Sequence, residues 1–320
     1  MKGKVSVVVQ NNRVQYKFTL NRNITILRGD SATGKTTLID MVRQYELDHS
    51  SGINIACRKD CRVIGGQHWE EQLKPISDSV VFIDEGNRFL KTKEFADTIR
   101  KTDNYYVIAT RDSLPTLPYS VEEVYGIVNK TKGYGQIKRL YSGFKNLYHV
   151  EKDFSDFDYV IVEDSNAGYA FFKGIFEAHG YPCISAKGKS NIAKLILNTL
   201  PTNKILVIAD GAAFGPEMES VLKTGYLRHV ELYLPESFEW LVLKSGLIDG
   251  NEVQDTLADS AEYIESRTYF SWERFFTAIL TEKTKASYMA YNKKKLNPVY
   301  LQEYEKGRII QNVPFELPDA

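Results

Sequence analysis

One segment constrains this chain more than any other: Gly29-Asp30-Ser31-Ala32-Thr33-Gly34-Lys35-Thr36. It matches G-x-x-x-x-G-K-[ST] at every fixed position, and its flanks fit as well. Ile24-Thr25-Ile26-Leu27 before it reads as a short apolar strand, and Thr37-Leu38-Ile39-Asp40-Met41-Val42 after it begins a helix. A strand, a glycine loop and a helix in that order aim backbone N–H groups and a positive helix end at one point, which suits a polyphosphate. Gly29, Asp30, Ser31, Ala32, Thr33, Gly34, Lys35, Thr36 and Thr37 are therefore the expected nucleotide-binding residues. Lys35 is expected to neutralise β- and γ-phosphate charge, and the Thr36 hydroxyl to ligate Mg²⁺.

Such a loop needs an acidic partner on a nearby strand. Val80-Val81-Phe82-Ile83-Asp84-Glu85 offers four apolar residues closed by two carboxylates. Asp84 is the expected Mg²⁺ partner through water, and Glu85 the group that polarises an attacking water. Tyr105 to Ala109 reads as a further buried strand. It ends in Thr110 and Arg111, which either sense a terminal phosphate or form a polar strand end at the surface. Residues 5–9 and 14–20 read as strands of a hairpin turning at Asn11-Asn12. Lys91 to Lys101 has helical composition. This alternation predicts an α/β domain over residues 1–147.

A second α/β pattern fills 148–320, with strands at 159–162, 182–185, 204–209 and 229–233, helices at 168–179, 190–199 and 217–224, and a mainly helical remainder from Phe238. Two of its strands end in acids, at Glu163-Asp164 and at Asp210-Gly211. In a parallel sheet, carboxylates at the C-terminal ends of adjacent strands converge on one crevice. Converging acids repel unless they bind cations, so Mg²⁺ or Mn²⁺ is the expected occupant. The other reading of Asp164 and Asp210 is that they cap helices.

The first half resembles the ABC/AAA-like ATPase heads of nucleases in the overcoming-lysogenization-defect (OLD) family and related phage-defence ATPases. The resemblance rests on the hairpin, the glycine loop and Asp84-Glu85. The family's L-S-G-G-Q signature is echoed only by Ile64-Gly65-Gly66-Gln67. The second half resembles a TOPRIM domain, with Glu163 and Asp210 at the family's first glutamate and first aspartate. Ser185 to Ile192 resembles its G-K-x-N segment. Ala212 stands where the family has a second aspartate, so a replacement ligand is expected from Asp164, Glu217, Glu236 or Glu239, with Glu239 preferred and Glu217 next. The resemblance implies catalytic roles for Glu85, Glu163 and Asp210, metal ligation by Thr36, Asp84, Glu163, Asp210 and Glu239, and cofactors ATP and Mg²⁺, with Mn²⁺ an option at the second site. It implies ATP hydrolysis joined to metal-dependent cutting, or sensing, of DNA or RNA in defence against mobile elements. Alternatives are an ATPase with a catalytically dead recognition domain, and an ATP-switched scaffold. A homo-oligomer or a partner protein would suit either.

Composition narrows the rest. At 43% hydrophobic and 26% charged residues, the chain has the make-up of an ordinary globular protein, with no membrane-length apolar run and no signal-peptide stretch. A cytoplasmic location without membrane contact is expected. Residues 1–150 hold 23 basic and 16 acidic side chains, and residues 151–320 hold 18 and 25. The basic half suits phosphates, and the acidic half suits metal ions or docking. Lys283, Lys285, Lys293, Lys294 and Lys295 interleave with Tyr288, Tyr291 and Tyr300. That tract reads either as a nucleic-acid contact or as a solvated helix face with its tyrosines turned inward. Cys57 and Cys61, with His68 beyond, lack a fourth zinc ligand and read as strand and loop thiols.

Overall fold

Strict alternation shapes the first two strands. β1 (Val5–Gln10) buries Val5, Val7 and Val9, and β2 (Gln15–Leu20) buries Tyr16, Phe18 and Leu20. They pair antiparallel, with Val5 opposite Leu20 and Gln10 opposite Gln15. The Asn11 side chain closes the turn, its Oδ1 accepting the N–H groups of Arg13 and Val14 at 2.8 and 2.9 Å. β3 (Ile24–Leu27) does not alternate, because both of its faces are covered. The chain continues through α1 (Lys35–Leu47), β4 (Asn54–Cys57), β5 (Cys61–Ile64), α2 (Trp69–Leu73), β6 (Val80–Ile83), α3 (Lys93–Ile99), β7 (Tyr105–Ala109), β8 (Val124–Lys130) and β9 (Tyr134–Arg139). This structure is a computed structural model, which describes residues 2–29, 33–130, 134–139, 145–146, 157–225 and 229–315.

The nine strands form one mixed sheet in the order β4-β1-β2-β9-β8-β3-β7-β6-β5. β3, β7, β6 and β5 run parallel to one another, with Leu27 beside Ala109 and Ile83 beside Ile108. Residues of period two divide between two cores. Leu27, Phe82, Val107 and Ala109 join Leu38 and Val42 of α1 on one face, while Ile26, Val81, Ile83 and Ile108 join Trp69 and Phe95 on the other. The helix expected over 91–101 is the shorter α3, capped by Thr92, whose hydroxyl accepts the Phe95 N–H at 3.2 Å. β4, β5, β8 and β9 are not among the expected strands.

The second sheet comprises β10 (Lys145–Asn146), β11 (Tyr159–Val162), β12 (Cys183–Ser185), β13 (Lys204–Ile208) and β14 (His229–Tyr233), in the order β10-β14-β13-β11-β12. All but β10 run parallel. The crossover helices are α4 (Ala167–Ala178), α5 (Ile192–Asn198) and α6 (Met218–Gly225). α7 (Phe238–Lys244) and α8 (Asn251–Ala258) follow, then α9 (Ser260–Tyr263), α10 (Trp272–Thr284) and α11 (Glu303–Ile310). The expected parallel α/β pattern with a helical remainder is thus present.

The division of the chain is less simple than a cut at 148. One unit comprises residues 1–141 with 259–270, and the other 142–258 with 271–320. The returning segment, which contains α9, is tied to the rest of the first unit by contacts at both of its ends. Gly3 N–H donates to Ala261 O at 2.7 Å, Lys4 Nζ lies 2.8 Å from Asp259 Oδ2, and the Arg100 guanidinium sits over the Phe270 ring at 5.1 Å. Among the described residues, no helix is long and apolar enough to cross a membrane.

Candidate functional site

The glycine loop joins the C-terminal end of β3 to α1. Asp30, Ser31 and Ala32 lie outside the described residues; Gly29, Thr33, Gly34, Lys35, Thr36 and Thr37 are within them. Gly34 has φ +97°, which favours glycine, and a Cβ there would meet Tyr16 Oη at 2.8 Å. The Tyr16 hydroxyl instead donates to Gly34 O at 3.1 Å and also hydrogen-bonds Thr37. Lys35 is 4% exposed. Its ammonium folds back into the loop, donating to Gly29 O at 2.6 Å and to Thr33 Oγ1 at 3.2 Å.

β7 separates β3 from β6, yet the residues beyond these strands meet. The Thr36 hydroxyl donates to Asp84 Oδ1 across 3.5 Å. Mg²⁺ in nucleotide sites takes one or two carboxylates plus phosphate and water oxygens, and this hydroxyl–carboxylate pair fits that donor set. Glu85 is gripped at both oxygens by Arg111, Nη2 to Oε1 at 2.6 Å and Nε to Oε2 at 3.1 Å. The Arg111 hydrogen bonds hold the Glu85 carboxyl below its ordinary range, and the charge of Lys35 adds to the effect. Thr110 turns its hydroxyl onto its own loop, accepting the Asp112 N–H at 3.0 Å. A cleft of about 460 Å³ opens beside these groups, lined by Glu85, Asn87, Lys91, Thr110 and Arg111 among others.

Two further residues here carried no sequence signal. Asn87 Nδ2 donates to Asp84 O, and its Oδ1 accepts the Gly66 N–H, both at 2.8 Å. Gly65 exchanges two hydrogen bonds with the Gln72 amide, each 2.9 Å. The Ile64-Gly65-Gly66-Gln67 echo is therefore a loop fastened within its own unit, next to the acidic strand end.

In the second unit, β11 and β13 are parallel neighbours, so Glu163 and Asp210 come together as expected. The Asp210 N–H donates to Glu163 Oε2 at 3.0 Å. Gly211, the next residue, lies close against the segment that follows β14. Its N–H donates to Pro235 O at 2.6 Å, and a Cβ there would sit 2.6 Å from Leu234 O. Glu239, 2% exposed near the start of α7, faces the same small space. Burial pushes the Glu163 carboxyl up to about 7 and raises Asp210 well above its ordinary value. Asp164 instead caps α4, its Oδ1 accepting the N–H groups of Ser165 and Asn166 at 2.5 and 2.7 Å and its Oδ2 that of Gly168 at 3.2 Å.

Cations of the chain's own fill this cluster. Lys293 pairs with Glu273 and lies 3.6 Å from Glu239 Oε1, while the Tyr291 hydroxyl donates to Glu239 Oε1 at 2.8 Å. Burial pulls the Lys293 ammonium down, but Glu239, Glu273 and Asp210 outweigh it and raise it above its ordinary value. Lys189 donates to Ala213 O at 2.6 Å, and burial lowers its pKa against the charges of Glu163, Glu217 and Glu273. Glu163, Asp210, Glu239 and Lys293 line a cavity of about 20 Å³, the space of about one water. As arranged, these residues do not fit a divalent ion: a backbone amide takes one oxygen of Glu163, a phenol and an ammonium share one oxygen of Glu239, and that ammonium brings a positive charge into a space of about one water. Among the described residues, no group of three or more His, Cys, Asp or Glu side chains is placed to hold a metal. Glu273, Tyr291 and Lys293 were not foreseen as members of this cluster.

The lysine–tyrosine tract divides. Tyr291 and Tyr300 are buried, and Lys283 pairs with Glu252 at 2.5 Å. Lys285, Lys294 and Lys295 are exposed, as is Tyr288. No family model matches the chain, and no curated protein matches it in sequence.

Proposed function

We propose that the first unit is a P-loop ATPase head, binding ATP with Mg²⁺ and hydrolysing it, and that the second is a TOPRIM-like unit that recognises a ligand without cutting it. The observation that carries the ATPase reading is the meeting of the first turn of α1, with buried Lys35 and exposed Thr36, and Asp84 at the end of β6, where the Thr36 hydroxyl reaches the Asp84 carboxylate. Lys35 would exchange its loop acceptors for phosphate oxygens, and Thr36 and Asp84 would hold the Mg²⁺. That ion, when bound, neutralises charge on the β- and γ-phosphates. Glu85, once released by Arg111, would accept a proton from the attacking water, and Arg111 would be free to turn toward the terminal phosphate.

Calorimetry and phosphate release test this reading. Lys35→Ala should lose ATP affinity, and Glu85→Gln should bind ATP but hydrolyse it slowly. Equal ATP affinity in wild type and Lys35→Ala would end the proposal. The observation favouring recognition over cleavage is Lys293 among the carboxylates. Supercoiled plasmid incubated with Mg²⁺ or Mn²⁺, with and without ATP, should stay intact. Nicking that disappears in both Glu163→Ala and Asp210→Ala would restore the nuclease reading.

A further inference from the structure

Cys57 ends β4 and Cys61 begins β5, with only Arg58, Lys59 and Asp60 between them. These strands are the two edges of the nine-stranded sheet, so this short connection joins its margins. Both sulfurs turn toward it. The Lys59 N–H donates to Cys57 Sγ at 3.5 Å, and Cys61 Sγ donates to Lys59 O at 3.9 Å. The two sulfurs are close enough to influence each other's ionisation. Cys57 and Cys61 are half-buried, packed at the margin of the first unit's core, whereas Cys183 is buried. Lys59 is anchored by an ion pair with Asp78 and lies 5.7 Å from the centre of the Tyr105 ring, which fixes a cation beside the pair. Two thiols without a third or fourth donor do not make a zinc site, and none is present among the described residues.

We propose that Cys57 and Cys61 are a peroxide-responsive dithiol, with Cys57 as the attacking sulfur and Cys61 as the resolving one. The Cys57 thiolate attacks one oxygen of hydrogen peroxide. An S–O bond forms, the O–O bond breaks, and the leaving oxygen is protonated to water. The Cys61 sulfur then attacks Cys57. An S–S bond forms, the S–O bond breaks, and the departing hydroxide leaves as water with the Cys61 proton. The two thiols together lose two electrons and the peroxide gains them.

The environment assigns the roles. The Cys61 side chain is the largest influence on Cys57. With the Lys59 amide and the charges of Lys59 and Arg58 it outweighs burial and lowers that thiol to about 7. Cys57 in turn, with burial, raises Cys61. A thiol with that value is about half ionised at neutral pH, against a few per cent for free cysteine. Lower basicity takes back part of this gain, leaving a net advantage of about threefold toward iodoacetamide.

The test uses the full chain, hydrogen peroxide, dimedone as a sulfenic-acid trap and peptide mass spectrometry. Wild type should form the 57–61 disulfide. Cys61→Ser should accumulate a dimedone adduct at Cys57, and Cys57→Ser should give neither product, with Cys183 unmodified throughout. A wild-type chain that stays reduced at doses that oxidise free cysteine would overturn the proposal. So would dimedone labelling of Cys61 in Cys57→Ser as fast as that of Cys57 in Cys61→Ser. Iodoacetamide rates on the wild type keep the proposal open to failure even if a variant misfolds: alkylation at Cys57 no faster than at Cys61 contradicts it. None of these outcomes depends on nucleotide binding.

Discussion

Arg111 holds both carboxylate oxygens of Glu85, in a fork whose shorter arm is 2.6 Å. On the proposed function, the group that would receive a proton from water is thereby occupied by a cation of the chain's own. Because the Arg111 hydrogen bonds lower the Glu85 pKa, Glu85 stays ionised to more acidic pH than a free glutamate. Arg111→Gln should return it upward, so the acid limb of the ATPase pH profile should move to higher pH. Stability should change by less than about 1 kcal/mol, because the Arg111 side chain is 53% exposed and the pair is screened by solvent. An unmoved acid limb would mean that Glu85 is not the titrating base.

Lys35 gives the largest expected effect on affinity. Losing a charged donor to phosphate costs about 1.5–3 kcal/mol, so Lys35→Ala should weaken ATP binding roughly 10- to 150-fold by calorimetry. A change of twofold or less would show that the lysine does not reach the phosphates.

Burial of Glu163 predicts a pH-dependent stability. Its carboxyl is raised from 4.5 to about 7 in the folded state. The favourable contribution is therefore full below about 4.5 and is lost as pH rises through about 7. Glu163→Gln can still accept the Asp210 N–H but cannot ionise. Its Tm relative to wild type should rise between about pH 5 and about pH 8. A constant Tm difference across that window would show an unperturbed carboxyl.

Lys293→Met should leave Glu239 and Glu273 without their cation. Breaking a buried pair costs about 3–5 kcal/mol, and solvent screening reduces this to roughly 1–3, since 35% of the Lys293 side chain is exposed. With no nucleotide present, Mg²⁺ or Mn²⁺ should raise the Tm of this variant and not that of the wild type. Equal stabilisation of both would show that the wild-type cluster already accepts a divalent ion.

Gly211→Ala forces a Cβ against the Leu234 carbonyl. A cost of about 1–3 kcal/mol is expected, from overpacking against backbone that cannot swing aside. Chemical denaturation should register it.

What the sequence disclosed follows the range of the forces involved. The glycine loop, β3 and α1 are encoded within some twenty consecutive residues by glycine conformation, apolar runs and helix initiation, so they can be read directly. Asp84-Glu85 and Asp210-Gly211 were legible because buried parallel strands announce themselves as apolar runs with polar ends. The pairing of Glu239 with Lys293 and Tyr291 spans about fifty residues, and no periodicity reports it. Lys293 instead lay in a lysine–tyrosine tract, where composition suggested a surface role. Asn87 was equally silent: a loop amide reveals its partners, Asp84 and Gly66, only once β5 and β6 lie side by side.

The return of residues 259–270 to the first unit bears on the order in which this chain becomes complete during synthesis. The chain passes between the two units three times, after 141, 258 and 270. Asn23, the residue before β3, donates to Phe270 O at 3.4 Å, and Gly3 donates to Ala261 O. The amino-terminal unit therefore leaves the ribosome with these acceptors still unmade. Domains generally fold as units, amino-terminal first, but here the strand that presents the glycine loop must wait for residue 270 before its last support arrives. A nascent chain halted short of that point would carry the whole glycine motif on an unfinished scaffold.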